Sequence, residues 1–98
     1  MGERDMLTAV AIGIIGDYDG RISHVATNEA IAHAAAALSI TADVRWLPTT
    51  QLLSSEGETM LTGCDALWAS PGSPYQSMDG ALLGIRFARE RDWPFLGT

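Results

Sequence analysis

Ala66-Leu67-Trp68-Ala69-Ser70-Pro71-Gly72-Ser73-Pro74-Tyr75 is the stretch on which the fold turns. Four apolar residues, too few for a helix, run into a loop of small residues and two prolines. A short strand ending this way presents backbone N–H groups at its carboxyl end, where open α/β sheets place their ligand sites. The loop is therefore the candidate functional segment.

Downstream, Met78 to Arg91 reads as a helix capped by Ser77, with Asp79 in its first turn and Arg86, Arg89 and Arg91 gathered toward its last. Met78, Ala81, Leu82, Ile85 and Ala88 form its expected buried stripe. Trp93-Pro94 breaks the helix, and Phe95-Leu96-Gly97-Thr98 begins another strand. Upstream, Thr8 to Ile15 is an unalternating run of Ala, Val, Ile and Gly, as expected of a strand buried on both faces of a parallel sheet. Gly16-Asp17-Tyr18-Asp19-Gly20 ends it with turn chemistry. Ser23 is expected to cap a helix reaching Leu38, with Thr27, Ile31, Ala34, Ala35 and Leu38 on its inner face. Ala42 to Leu47 follows as a strand ended by Pro48, with Val44 and Trp46 on one face and Asp43, Arg45 and Leu47 on the other, a pattern suited to a sheet edge. Thr49 to Leu53 is one helical turn, Ser54 to Glu58 a polar loop, Thr59 to Thr62 ambiguous, and Asp65 to Ala69 the third strand. Strands alternating with helices predict an α/β fold with a doubly wound parallel sheet.

Composition narrows the function. The 98 residues suffice for one small domain, 47% of them are apolar, and only 18% are charged, which favours a packed core. A formal net charge of −6 with six basic residues argues against nucleic acid and against an anionic membrane surface as partner. A small molecule or a protein is the expected partner. One cysteine excludes an internal disulfide and a multi-cysteine zinc site, and fits a reducing cytoplasm. The acidic start and the short apolar run from Leu7 to Ile15 match neither a signal peptide nor a membrane span.

Several short motifs, taken in order, resemble the class I glutamine amidotransferases, in particular the glutaminase domain of CTP synthase. Ile12-Gly13-Ile14-Ile15-Gly16-Asp17-Tyr18 is similar to the family's first strand and its Gly-Lys-Tyr end, with Asp17 in place of the lysine. Asn28-Glu29-Ala30 resembles the Glu-Ala pair of the first helix, and Gly63-Cys64-Asp65-Ala66-Leu67 the Gly-Ala-Asp-Gly-Ile entry to the third strand. Pro71-Gly72-Ser73 stands for Pro-Gly-Gly, Asp79-Gly80 for Glu-Gly, and Phe87-Ala88-Arg89-Glu90 for Tyr-Ala-Arg-Glu, while Pro94-Phe95-Leu96-Gly97 is unchanged.

The resemblance implies an incomplete flavodoxin-like sheet, with residues 1–98 as a single partial domain, the N-terminal half of the family's domain. It implies glutamine hydrolysis through a cysteine thioester, with a histidine–glutamate pair moving the proton, two backbone N–H groups holding the oxyanion, and no cofactor or metal. One of those donors would be the backbone N–H of Ser73, with Gly72, Ser73 and Tyr75 lining the glutamine pocket. Serine in place of glycine keeps that role only with an allowed φ, and Pro74 biases Ser73 toward extended backbone. The resemblance places the nucleophile directly after Thr98, so these residues lack the catalytic Cys, His and Glu and are expected to be inactive alone. A remainder not included, a truncated gene, or a stop codon read as selenocysteine would each account for that end. An uncovered half sheet is expected to associate, as a homo-oligomer or through that surface.

Other features carry competing readings. Asp17-Tyr18-Asp19-Gly20 resembles the Asp-x-Asp-Gly of haloacid dehalogenase-type phosphatases, in which the first carboxylate attacks phosphate and the second serves as acid and base beside Mg²⁺. Against it, Gly16 separates the strand from Asp17, Arg21 stands where Thr is expected, and the chain has no lysine. The plain reading is a turn with two solvated acids. A non-catalytic partner-binding module is the other alternative. Cys64 reads as a small buried hydrophobe. His24 and His33 fall on different faces of one helix, in solvated or capping roles, and Trp46, Trp68 and Trp93 read as packing residues. The arginines at 86, 89 and 91 read as a solvated helix end.

Overall fold

The computed structural model describes residues 9–70 and 75–97. The elements run β1 (Ala9–Ile15), α1 (Ile22–Leu38), β2 (Thr41–Leu47), α2 (Thr49–Leu52), α3 (Gly57–Thr62), β3 (Ala66–Ala69), α4 (Met78–Glu90) and β4 (Phe95–Gly97). All four strands are parallel, in the order β2-β1-β3-β4. This is the flavodoxin-like start of a doubly wound sheet, with β1 inside and β2 at an edge, as the alternating pattern of β2 implies. Asp65 extends the β1–β3 ladder by one residue, giving its N–H to Ala11 O and taking the Ala11 N–H on Oδ2, both at 2.7 Å.

Register sorts the side chains into two faces. Ile15, Leu47 and Leu67 point to one side and meet Leu52, Leu61, Cys64, Ala81, Phe87 and Ala88 from α2, α3, α4 and the turn before β3. Fully buried aliphatic side chains here contribute about 1.5–3 kcal/mol each, so this side carries most of the apolar stabilisation. Gly13 lies beneath it, where a Cβ would meet Cys64 Sγ at 2.6 Å. The other side holds Ile12, Ile14, Val44, Trp46, Ala66 and Trp68, and among the described residues only α1 covers it.

The sequence pattern misjudged both long helices. Ala34 and Leu38 of α1 are exposed, Leu38 to 68%, because the buried stripe is His24, Thr27, Ile31 and Ala35. They rim a groove of about 270 Å³ with Ile12, Ala42 and Trp68, and the sheet beside it stays open. The cap also differs. The α1 helix begins at Ile22 with Arg21 at the N-cap and no side-chain cap, so Ser23 lies inside the helix. In α4, Met78 and Leu82 face outward, and the buried positions are Gly80, Ala81, Gly84, Phe87 and Ala88. Two glycines let the α4 backbone lie against its neighbours. A Cβ at Gly80 would fall on the Thr49 carbonyl, and one at Gly84 would stand 2.7 Å from Ile15 Cδ1. The α3 helix starts at Gly57, inside the expected polar loop, with Leu61 fully buried as its anchor.

Other expectations hold. Ser77 caps α4, its Oγ accepting from Gly80 N at 3.0 Å, and Asp79 sits in the first turn. Trp93 packs on Phe87 and donates Nε1–H to Cys64 O at 2.7 Å, while Trp46 donates to Asn28 Oδ1 at 2.9 Å. The Arg86 and Arg89 side chains are exposed, whereas Arg91 pairs with Glu58 at 3.0 Å and lies over the Phe87 ring.

Candidate functional site

The carboxyl ends of β1, β2 and β3 converge. Gly16 N donates to Leu47 O and Ser70 N to Ile15 O, each at 3.1 Å, so both ladders run one residue past the strands. Gly16 has no room for a side chain because Ser70 Oγ lies against it. That hydroxyl belongs to a residue only 2% exposed, and it has no hydrogen-bond partner among the described residues. Unpaired buried hydroxyls are uncommon, and this one marks the end of β3 as a place where a polar group remains to be met.

Of the residues expected to form the site, Pro71, Gly72, Ser73 and Pro74 lie outside the described residues. Tyr75 is placed. Its hydroxyl donates to Ser70 O at 2.8 Å, bringing the two flanks of that segment together. Burial, with the charge of Asp17 adding to it, pushes the Tyr75 hydroxyl above its usual pKa, so it stays a donor.

Asp17 and Asp19 are not a pair of solvated acids. Asp17 Oδ1 accepts from Thr49 N at 2.9 Å, and Oδ2 accepts from Thr49 Oγ1 at 2.8 Å and Gln76 N at 2.9 Å. Burial works to raise its pKa, but the hydrogen bonds from Gln76 and Thr49 outweigh it and hold the carboxyl below the ordinary range. Asp19 is exposed and held by Arg21, which contacts both carboxylate oxygens, and that contact keeps its pKa far below the ordinary value. Asp17 is thus engaged by Thr49 and Gln76 and Asp19 by Arg21, an arrangement that gives both carboxylates structural partners.

His24 also departs from expectation. It is 2% exposed, accepts the Asp19 N–H on Nδ1 at 3.2 Å, stacks on Tyr18 with ring centroids 5.5 Å apart, and meets the Trp46 ring at a tilt with centroids 4.8 Å apart. His33 is exposed on the same helix. A cavity of about 90 Å³ lies among Asp17, Tyr18, Asp19, Arg21, His24 and the Tyr75–Gln76 pair. Among the described residues no three His, Cys, Asp or Glu side chains gather as a metal site. Cys64 lies before β3, at the opposite end of the sheet. It is buried, and desolvation pushes its thiol pKa up.

Sequence reasoning missed Thr49, whose hydroxyl donates to Asp17 and accepts from Ser77 N at 2.9 Å. A hydroxyl residue directly after Pro48, at the carboxyl end of a strand, was the available signal.

No family model matches the sequence. The chain is 36% identical over 90 residues to the CTP synthase of Sulfurisphaera tokodaii and 32% identical over 92 residues to that of Phytoplasma australiense, in each case over 90% of this chain. It spans only 17% and 16% of those enzymes, about a sixth of the curated relatives it matches. In structure it is similar to the glutaminase domain of Trypanosoma brucei CTPS with bound acivicin, with a TM-score of 0.78 and 22% identity, covering 90% of this chain and 35% of that one. That likeness establishes the shared fold. Among the described residues no helix is long and apolar enough to cross a membrane.

Proposed function

We propose, for a chain that belongs to the class I glutamine amidotransferases of the CTP synthase type, that it forms one wall of a glutaminase site and hydrolyses no glutamine by itself. The carrying observation is the sequence likeness to CTP synthases along nine tenths of the chain. The positions of Ser70 at the carboxyl end of β3 and of Tyr75 against it agree with this reading. In this reading residues 1–98 are part of one domain, Gly72, Ser73 and Tyr75 line the pocket for the glutamine side-chain amide, and the Ser73 N–H is one oxyanion donor. Tyr75 would act by holding the Ser70 carbonyl. Cys64 has no part in the chemistry, since it is buried at the wrong end of the sheet. The nucleophile, histidine and glutamate would come from residues beyond these 98.

The test is ammonia release from glutamine by the 98-residue chain and by a version extended through a complete domain with cysteine after Thr98. Activity only in the extended protein is expected. A folded extended protein without activity would refute the reading and favour a non-catalytic module.

One observation favours association as a second property of the chain. Leu96, on β4 beside Trp68, is 52% exposed, and Leu38 on α1 is open as well. The 98-residue form is therefore expected to self-associate through the uncovered α1 side of the sheet. Sedimentation should show a dimer or larger species that Leu96→Asp reduces to monomer. A monomeric parent chain would end this proposal.

A further inference from the structure

Asp17 stands one residue past the β1 ladder, where the backbone leaves the sheet, and gathers donors from two other crossovers. Ser77 N–H points to Thr49 Oγ1, the Thr49 hydroxyl points to Asp17 Oδ2, and Gln76 N–H points to the same oxygen. The Thr49 N–H closes the set on Oδ1. Because the Thr49 hydroxyl both gives and takes a hydrogen bond, its orientation is fixed. Gln76 and Ser77 are the two residues before α4, and Gly80, one turn into that helix, rests against the Thr49 carbonyl. The start of α4 is thus held from the β1 and β2 crossovers, while Tyr75 Oη ties back to Ser70 O at the end of β3.

The geometry points to Asp17 as the positioning residue of the β3–α4 crossover, fixing Gln76 directly and Ser77 through Thr49 in register with the end of β1. Its catalytic meaning rests on the proposed glutaminase reading, in which this crossover carries the oxyanion donor. The carboxylate is needed rather than an amide. Both oxygens accept from N–H groups, so an asparagine would turn its NH₂ toward one of two donors, Thr49 N–H or Gln76 N–H. Groups facing the carboxylate from neighbouring elements are His24, whose ring lines the same cavity, and Tyr75.

The experiment uses the ¹⁵N-labelled 98-residue chain, with amide shifts followed across acidic pH and amide exchange measured for wild type, Asp17→Asn, Thr49→Ser and Thr49→Val. In the wild type the Gln76 and Thr49 amide shifts should titrate together. In Asp17→Asn that titration should vanish and Gln76 should exchange about tenfold faster, the scale of one lost charged hydrogen bond. The Leu67 and Gly16 amides, bonded to Pro94 O and Leu47 O, should keep their rates. Thr49→Val should speed exchange at Ser77, and Thr49→Ser should restore it. Independent titration of the two wild-type amides would overturn the assignment. An unchanged Gln76 rate in Asp17→Asn would also overturn it, as would Leu67 and Gly16 accelerating by the same factor. If Asp17→Asn does not fold, the wild-type titration and the Thr49 pair still decide. Glutamine is absent from every sample, so failure of the clamp and failure of the glutaminase reading are separate results.

Discussion

Replacing Gly80 with alanine sets a gain in helix propensity against a backbone collision. In an exposed helix the exchange stabilises by about 1 kcal/mol, because alanine loses less freedom than glycine on becoming helical. In α4 the new Cβ would fall on the Thr49 carbonyl, with the carbonyl carbon at 2.7 Å and Ser77 Oγ at 3.3 Å. A carbonyl at the head of α2 cannot rotate away as a side chain does, so α4 must withdraw and loosen the bond from Gly80 N to Ser77 Oγ. Overpacking of this kind costs about 2 kcal/mol and loss of a cap about 1 kcal/mol. After the propensity gain a net loss of about 2 kcal/mol remains. Gly84→Ala is the internal control, since its nearest atoms are Ile15 Cδ1 at 2.7 Å and Cγ1 at 3.3 Å, side-chain atoms that can shift. Its net change should stay within about 1 kcal/mol. With a urea slope of about 1 kcal/mol/M for a small domain, Gly80→Ala should lower the unfolding midpoint by about 2 M and Gly84→Ala by less than about 1 M. A Gly80→Ala midpoint at or above wild type would refute the seating of α4 on Thr49.

Acid sensitivity should trace partly to Asp17. Its folded pKa is depressed, so its stabilisation is complete above the unfolded value of about 3.9 and is lost as pH falls through the folded value. Asp17→Asn should therefore lower stability at pH 7 by about 1.5–3 kcal/mol and flatten the decline below about pH 4. Parallel pH profiles in urea melts of the two proteins would contradict this. Cys64 should resist alkylation at pH 8 until the chain unfolds, because its thiol is buried and its pKa is raised by desolvation. Modification as fast as that of a free thiol would show that the core around it opens readily.

The strands were legible because β1, β3 and β4 are apolar runs beside Pro, Gly or Asp, while β2 alternates apolar and polar residues as an edge strand does before it ends at Pro48. Helix phase was harder to read. Hydropathy favours Met78 and Leu82 for the inner face of α4, but the helix crosses Thr49 and Ile15 so closely that the inner positions belong to Gly80 and Gly84, residues a hydrophobic stripe does not count. Leu38 and Ala34 were placed inward by their spacing alone, whereas their burial depends on what covers the far part of the sheet. At the site, the importance of the β3–α4 crossover was visible in its Pro-Gly chemistry. The roles of Asp17 and His24 were not, since their partners Thr49, Gln76 and Trp46 come near only through the pairing of β1 with its two neighbours. A polar residue in a turn looks solvated until the strands are placed side by side.

The three tryptophans divide the molecule into regions that light can distinguish. Trp46 stands beside Tyr18 and His24 at the carboxyl ends of the strands, Trp68 lines the open apolar side, and Trp93 is wedged against Phe87 in the opposite layer. Three variants, each retaining one indole and carrying phenylalanine at the other two positions, would therefore report on ligand entry, self-association and core melting through separate emission signals. The chain thus carries one probe of its own in each of the three regions.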